Sequence, residues 1–141
     1  MQNSGIVDAH HHLWNLDCNY YPWLVDKKEK DFFLGDYSAL KKNYLPENYR
    51  TDAKNFNVIA TVHVEAEWDR SNQVGETTWL TKMHAKYKMP HAIVGHVWLS
   101  EKNCEEVLIR HNKHALFIGV RSKPLISSHP DDEFPKGPGS M

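Results

Sequence analysis

Cysteine is scarce in this chain. Cys18 and Cys104 are the only two among 141 residues, too few for a disulfide framework, and no Asn-x-Ser/Thr acceptor occurs. Both absences fit a reducing interior. Charge of one sign is lacking too: 17 Lys and Arg face 18 Asp and Glu, for a formal net charge of -1. No global positive field exists to gather nucleic acid or an anionic membrane, so neither is expected as a partner. No apolar run approaches the roughly 18 residues that a membrane span needs, and the first five residues carry no basic group of a signal peptide. The expected location is the cytoplasm. What remains, with 40% hydrophobic and 25% charged residues, is the composition of one globular domain.

Histidine is the residue in excess. Ten occur, three of them consecutive at His10, His11 and His12. Four short segments rich in β-branched and apolar residues read as buried strands: Gly5 to Ala9, Asn57 to Val64, Ala92 to Leu99 and Leu116 to Arg121. Val74, Trp79, Leu80, Met83 and Tyr87 lie mostly at helical spacing between the second and third, with Pro90 as a stop. Ser100 reads as the N-cap of a second helix carrying Cys104, Val107, Leu108 and His111 at i, i+3, i+4 and i+7. Alternating strand and helix implies right-handed crossovers and a parallel sheet covered by helices, an α/β fold. Residues 13–56 form a long excursion dense in Tyr, Trp and Phe, including Tyr20, Tyr21, Trp23, Phe32 and Phe33, and this content favours a packed flap. Residues 57–121 hold strands two to four with their helices. From Ser122 to Met141 the chain carries four of its seven prolines and two glycines, and no element can be read there. A helix to cover the last strand is missing, so the sequence looks interrupted.

Strict alternation places Ile6, Asp8, His10 and His12 on one face of the first strand. Two histidines at i and i+2 on a strand end can present two imidazole nitrogens to one divalent metal at about 2.0 to 2.1 Å, zinc being the commonest occupant, but a catalytic metal needs a third protein ligand and an open position. On the same argument Ile59, Thr61, His63 and Glu65 share a face of the second strand, His96 and Trp98 of the third, and Phe117, Gly119 and Arg121 of the fourth. If those faces line one interior, His10, His12, Glu65, Trp98 and Arg121 surround a common mouth, at the strand end where parallel sheets and barrels bind ligands. Other readings stand beside these. His63 and His96 are core histidines or ligands. Glu65 is a catalytic carboxylate, or a mouth residue paired to an arginine or a histidine. Arg121 grips a ligand carboxylate with its planar fork, or makes an ordinary salt bridge.

The run Asp-Ala-His-His-His-Leu-Trp at 8–14, followed by Tyr-Pro-Trp-Leu at 21–24, resembles the start of the amidohydrolase-related proteins of the lactonase type, described as metal-dependent hydrolases of the TIM-barrel fold. Further similar stretches follow in order: Tyr-Leu-Pro-Glu-Asn-Tyr-Arg at 44–50, Thr-Val-His-Val-Glu-Ala-Glu-Trp at 61–68, Ile-Val-Gly-His-Val-Trp-Leu at 93–99 and Gly-Val-Arg at 119–121. The resemblance implies a (β/α)8 barrel, which takes about 250 residues, so this chain is expected to be its N-terminal half. The wider superfamily holds its metal with the His-x-His of strand one, here His10 and His12, together with histidines of strands five and six and an aspartate of strand eight that serves as general base. The ending at 135–141 resembles the loop after strand four, from which such proteins continue. Some lactonase-type members work without metal, their strand-one histidines hydrogen-bonding the lactone carbonyl.

The expected activity is therefore hydrolysis of a lactone or related cyclic ester on a small carboxylated or sugar-derived molecule, with a divalent metal, zinc, as the expected cofactor. His10, His12 and Glu65 are the catalytic candidates. Arg121, matching the family's Gly-Val-Arg, anchors a substrate carboxylate on this reading, with Trp98 and Trp14 beside it. Trp14 and the aromatic loop either close over a ligand or pack on the barrel. A non-oxidative decarboxylase of the same superfamily keeps the same residues, and a half-barrel without catalysis is the alternative from another class. As an opened barrel, the chain alone is expected to self-associate through its edges and through an interior face of Ile6, Ile59, Ile93 or Val97, and Phe117.

Overall fold

The computed structural model describes residues 4–26 and 35–122. Phe32, Phe33 and the tail expected to resemble a post-strand loop lie outside them. Four strands, β1 (Ile6–His11), β2 (Val58–Val64), β3 (Ala92–His96) and β4 (Phe117–Arg121), form one sheet in the order β1-β2-β3-β4 with every neighbouring pair parallel. Sequence order kept as spatial order, with crossovers on the same side, is four consecutive units of a (β/α)8 barrel: half of one. The strands read from composition are all present. β1, however, runs on to His11, leaving His12 just beyond its end, and β3 stops at His96, leaving Val97 to Leu99 outside it.

Two helices cross from strand to strand. α3 (Gly75–Tyr87) lays Trp79 and Leu80 against Leu13 and Ile93, the central apolar cluster. It ends where Lys88 turns left-handed, its N–H bonding His84 O, ahead of Pro90. α4 (Cys104–His111) begins at Asn103 and not at the expected Ser100, because residues 100–103 are spent on a turn in which Glu101 N donates to Trp98 O and Cys104 N to Glu101 O. Its Val107 packs with Val74 and Val97. His111 is buried beneath the sheet, donating from Nε2 to His96 O at 3.0 Å, accepting Thr77 Oγ1 at Nδ1 at 3.0 Å, and stacking on Phe117.

The excursion between β1 and β2 carries α1 (Pro22–Val25) and α2 (Pro46–Asp52), the latter with proline at its first turn. Its two ends meet in a reciprocal pair of 3.0 Å bonds between the backbones of Trp14 and Tyr44. Trp14, Tyr21 and Leu24 form a second buried cluster with Ala66, and Trp23 Nε1 donates to Ala66 O at 2.9 Å, tying this flap to the C-terminal end of β2.

The exposed apolar surface of the sheet is not the one expected. Ile6 and Ile59 are exposed, as are Val7 and Ile118, but Ile93 is 1% and Val97 0% exposed because they face α3 and α4, and Phe117 is half-buried on His111. Register shifts are the physical reason alternation fails: one falls between Asp8 and His11, another at Ile93/Val94 opposite Phe117 and Gly119.

Candidate active site at the strand ends

The shift in β1 sorts the histidines. Asp8 accepts the Tyr49 hydroxyl of α2 at 2.7 Å, and His11, three residues on, packs its ring on the same Tyr49 at 4.9 Å. Residues an odd number apart thus share the helix side, which strict alternation forbids. Asp8 is thereby separated from the face expected for it. His10 is exposed and His12 half-buried, their rings 5.0 Å apart and edge to face. His12 Nδ1 lies 2.8 Å from Val64 O. A carbonyl only accepts, so Nδ1 carries the proton and Nε2 keeps its lone pair. Burial, assisted by the neighbouring His63 and Arg121, pushes His12 down to about 4, so the ring is neutral near pH 7.

His63 is wholly buried on the helix side and is a core histidine. Leu13 N–H donates to its Nδ1 at 3.1 Å, so its proton is on Nε2, 3.2 Å from Glu76 Oε1 of α3. The same Glu76 oxygen accepts Ala66 N at 3.1 Å and lies 3.3 Å from the Tyr21 hydroxyl. Burial, then the charge of Glu65, pushes the Glu76 carboxyl up to about 8.

Beside His12, at the end of β2, Glu65 is fully buried. Its carboxylate accepts Arg121 Nε of β4 at 2.7 Å, Arg70 Nη1 at 3.0 Å and Glu67 N at 3.0 Å. Arg121 also donates from Nη2 to Glu65 O, and Arg70 to the Glu67 carboxylate. Glu67 has a φ of 62°, the left-handed region that a side chain rarely adopts, at the turn that brings its carboxylate back to Arg70. Arg70 lies over the Trp98 ring at 5.7 Å, and His96 meets that ring edge-on at 4.6 Å. Burial, then the Arg70 charge, lowers His96 to about 4.

The strand ends therefore carry two adjoining groups: His10 and His12 against Val64, and Glu65 with Arg70, Arg121 and Trp98. Trp14 is elsewhere, buried in the flap with its indole N–H bonded to Lys42 O at 2.6 Å and its ring edge-on to Trp23. Arg70 and Glu76 escaped the sequence reading. Glu76, in the first turn of α3, is there indistinguishable from a residue complementing the helix dipole.

Among the described residues no group of three or more His, Cys, Asp or Glu could hold a metal ion. The donors present do suit a share of one: two neighbouring histidines, His12 neutral and oriented by a carbonyl on its far nitrogen as metal-binding imidazoles usually are. Also among the described residues, no helix is long and apolar enough to cross a membrane.

Consecutive parallel β/α units with histidines at the C-terminal end of the first strand define a β/α-barrel fold with its candidate site at the strand ends. The profile of the amidohydrolase family matches residues 7–139, nearly the whole chain, and the chain belongs to that family. It is 41% identical over 121 residues to the uncharacterized protein y4mH of Sinorhizobium fredii, covering 86% of this chain and 40% of that protein. In fold it is similar to an amidohydrolase from Burkholderia multivorans whose crystal structure contains bound zinc, with a TM-score of 0.60 and 20% identity over 91% of this chain and 39% of the other. The chain thus spans about two fifths of the length of each.

Proposed function

We propose that this chain forms the first half of a hydrolase that opens a lactone or related cyclic ester of a small carboxylated or sugar-derived molecule by attack of water, with His10 and His12 at the reacting carbonyl. The observation that carries this reading is the His12 tautomer: a neutral imidazole, its Nδ1–H fixed on Val64 O, keeps a bare Nε2 on a ring 5.0 Å from that of His10. These two residues would hold a divalent ion such as the zinc found in the Burkholderia structure, with further ligands outside the described residues. When bound, that ion polarises a carbonyl and lowers the pKa of water. In a metal-free form a ring N–H must face the developing oxyanion, a part that falls to His10, because the single N–H of His12 is held by Val64 O. Arg121 is the candidate anchor for a substrate carboxylate, which competes there with Glu65 for the guanidinium, and Trp98 lines the same end.

The test is turnover of a lactone panel by the protein isolated from its source cells, with and without added zinc. His12→Ala should lower turnover by at least about a hundredfold, the scale of losing one element of oxyanion stabilisation, here the ion that its Nε2 would help to hold. A loss below tenfold overturns the assignment, and release of CO2 in place of ring opening makes the protein a decarboxylase. For the 141-residue chain alone we propose self-association through the open outer strands β1 and β4, where Ile6, Val7 and Ile118 are exposed. A monodisperse monomer in sedimentation velocity would refute it.

A further inference from the structure

The tautomer of His12 depends on one hydrogen bond, and a single buried carboxyl of α3 is tied to the backbone at both ends of that bond. On the β1 side, Glu76 Oε1 receives His63 Nε2–H at 3.2 Å, and His63 Nδ1 in turn receives the N–H of Leu13, the residue after His12, at 3.1 Å. On the β2 side, Glu76 receives the N–H of Ala66 at 3.1 Å, two residues beyond the Val64 carbonyl that His12 bonds. The intervening Glu65 N bonds Val94 O of β3 at 2.8 Å, which leaves that short segment little play. Glu76 is 3% and His63 0% exposed, so neither bond is exchanged with water.

From this geometry we infer that Glu76 is a positioning residue for His12. Acting through His63 and the Ala66 amide, it fixes the spacing of the β1 and β2 ends so that His12 Nδ1 meets Val64 O and Nε2 keeps its lone pair. The directionality is set by chemistry: Leu13 N–H can only donate, so His63 must accept at Nδ1 and donate at Nε2, and Glu76 is the acceptor that ends the relay. A residue of α3 that touches neither substrate nor metal thereby decides which nitrogen of His12 is available. Its importance for catalysis rests on the function proposed above; the positioning itself does not.

The experiment is nitrogen NMR of the imidazoles in the 15N-labelled 141-residue chain, reading the tautomer of His12 in wild type, Glu76→Gln and Glu76→Leu. Wild type is expected to show His12 as a single Nδ1–H tautomer. Glu76→Gln keeps an acceptor oxygen for His63 and Ala66 and should retain that signature, whereas Glu76→Leu should lose it to an averaged one while the amide dispersion of the sheet persists. A folded Glu76→Leu chain with His12 still locked in the Nδ1–H form overturns the inference. Should Glu76→Leu not fold, His63→Phe cuts the Leu13 arm and keeps a ring in the core, and an unchanged His12 signature there overturns it equally. In an active preparation, Glu76→Leu should lower turnover by about tenfold or more, the usual effect of losing an outer-shell partner, with Glu76→Gln restoring it. If the tautomer changes while turnover does not, the catalytic role of His12 fails and the positioning stands.

Discussion

Glu65 provides the sharpest energetic test of the strand-end group. Glu65→Gln keeps its shape and removes its charge. The carboxylate accepts Arg121 Nε on one oxygen, and Arg70 Nη1 with Glu67 N on the other. A glutamine has one acceptor oxygen, so its cheaper orientation keeps the pair of donors and turns the amide nitrogen onto Arg121, donor against donor. Breaking a buried ion pair by removing one partner costs about 3 to 5 kcal/mol. Here the arginine side chains are 28% and 16% exposed and recover part of their hydration, so the lower end, about 3 kcal/mol, is expected. For a domain of this size that corresponds to a fall in Tm of about 10 °C. Urea titration followed by tryptophan fluorescence measures it directly. A double-mutant cycle of Glu65→Gln with Arg121→Met should return a coupling of about 1 kcal/mol or more. A Glu65→Gln chain within about 0.5 kcal/mol of wild type, the range of an ordinary surface change, would refute the reasoning and free Glu65 for a chemical role.

Gly95→Ala should destabilise by about 1 to 3 kcal/mol in the same titration, because a Cβ there lies 2.7 Å from His111 Cε1 and 3.1 Å from Thr77 Oγ1, both locked in the α3–α4 contact. The pH dependence of Glu76 has a definite sign. Its folded pKa, raised by burial to about 8, exceeds the unfolded value of 4.5, so its contribution is complete below 4.5 and is lost as pH rises through 8. Relative to Glu76→Gln, wild type should weaken between about pH 5 and 8 by up to about 1.4 kcal/mol per pH unit. Equal slopes would contradict it. His63 runs the other way: burial lowers it to about 3, so its contribution is present above the unfolded value of 6.5 and fades as pH falls toward 3. His63→Gln should flatten that acid limb in equilibrium unfolding.

Strand existence, parallel topology and the placing of the histidines at a strand end were all legible, since apolar runs and helix spacing report burial directly. What alternation could not deliver was which side of the sheet each residue takes. A bulge costs one residue and leaves no compositional trace, yet the shift between Asp8 and His11 turns Asp8 toward Tyr49, and the one opposite Phe117 stacks that ring on His111. The excursion's aromatic content pointed to packing, while the bond of Trp14 to Lys42 O depends on residues nearly thirty positions apart. Arg121 was expected to hold either a ligand or a partner, and only the fold could reveal Glu65 as the group its fork meets.

These bonds explain why the strand ends are rigid on one side and open on the other. Toward the helices, His63 pairs with Glu76 and His111 with Thr77, and each ring's tautomer is fixed by a backbone partner, Leu13 N–H that can only donate and His96 O that can only accept. Toward the mouth, His10 is exposed and half-buried His12 keeps an unprotonated nitrogen. A site that must meet a carbonyl or share a metal needs this asymmetry. A ring free to exchange tautomers would offer that lone pair only part of the time, and a ring held by two protein partners would not offer it at all. His63 and His111 are spent so that His12 is not, and exchanging Glu76 for a residue without an acceptor is the smallest change that should erase the distinction.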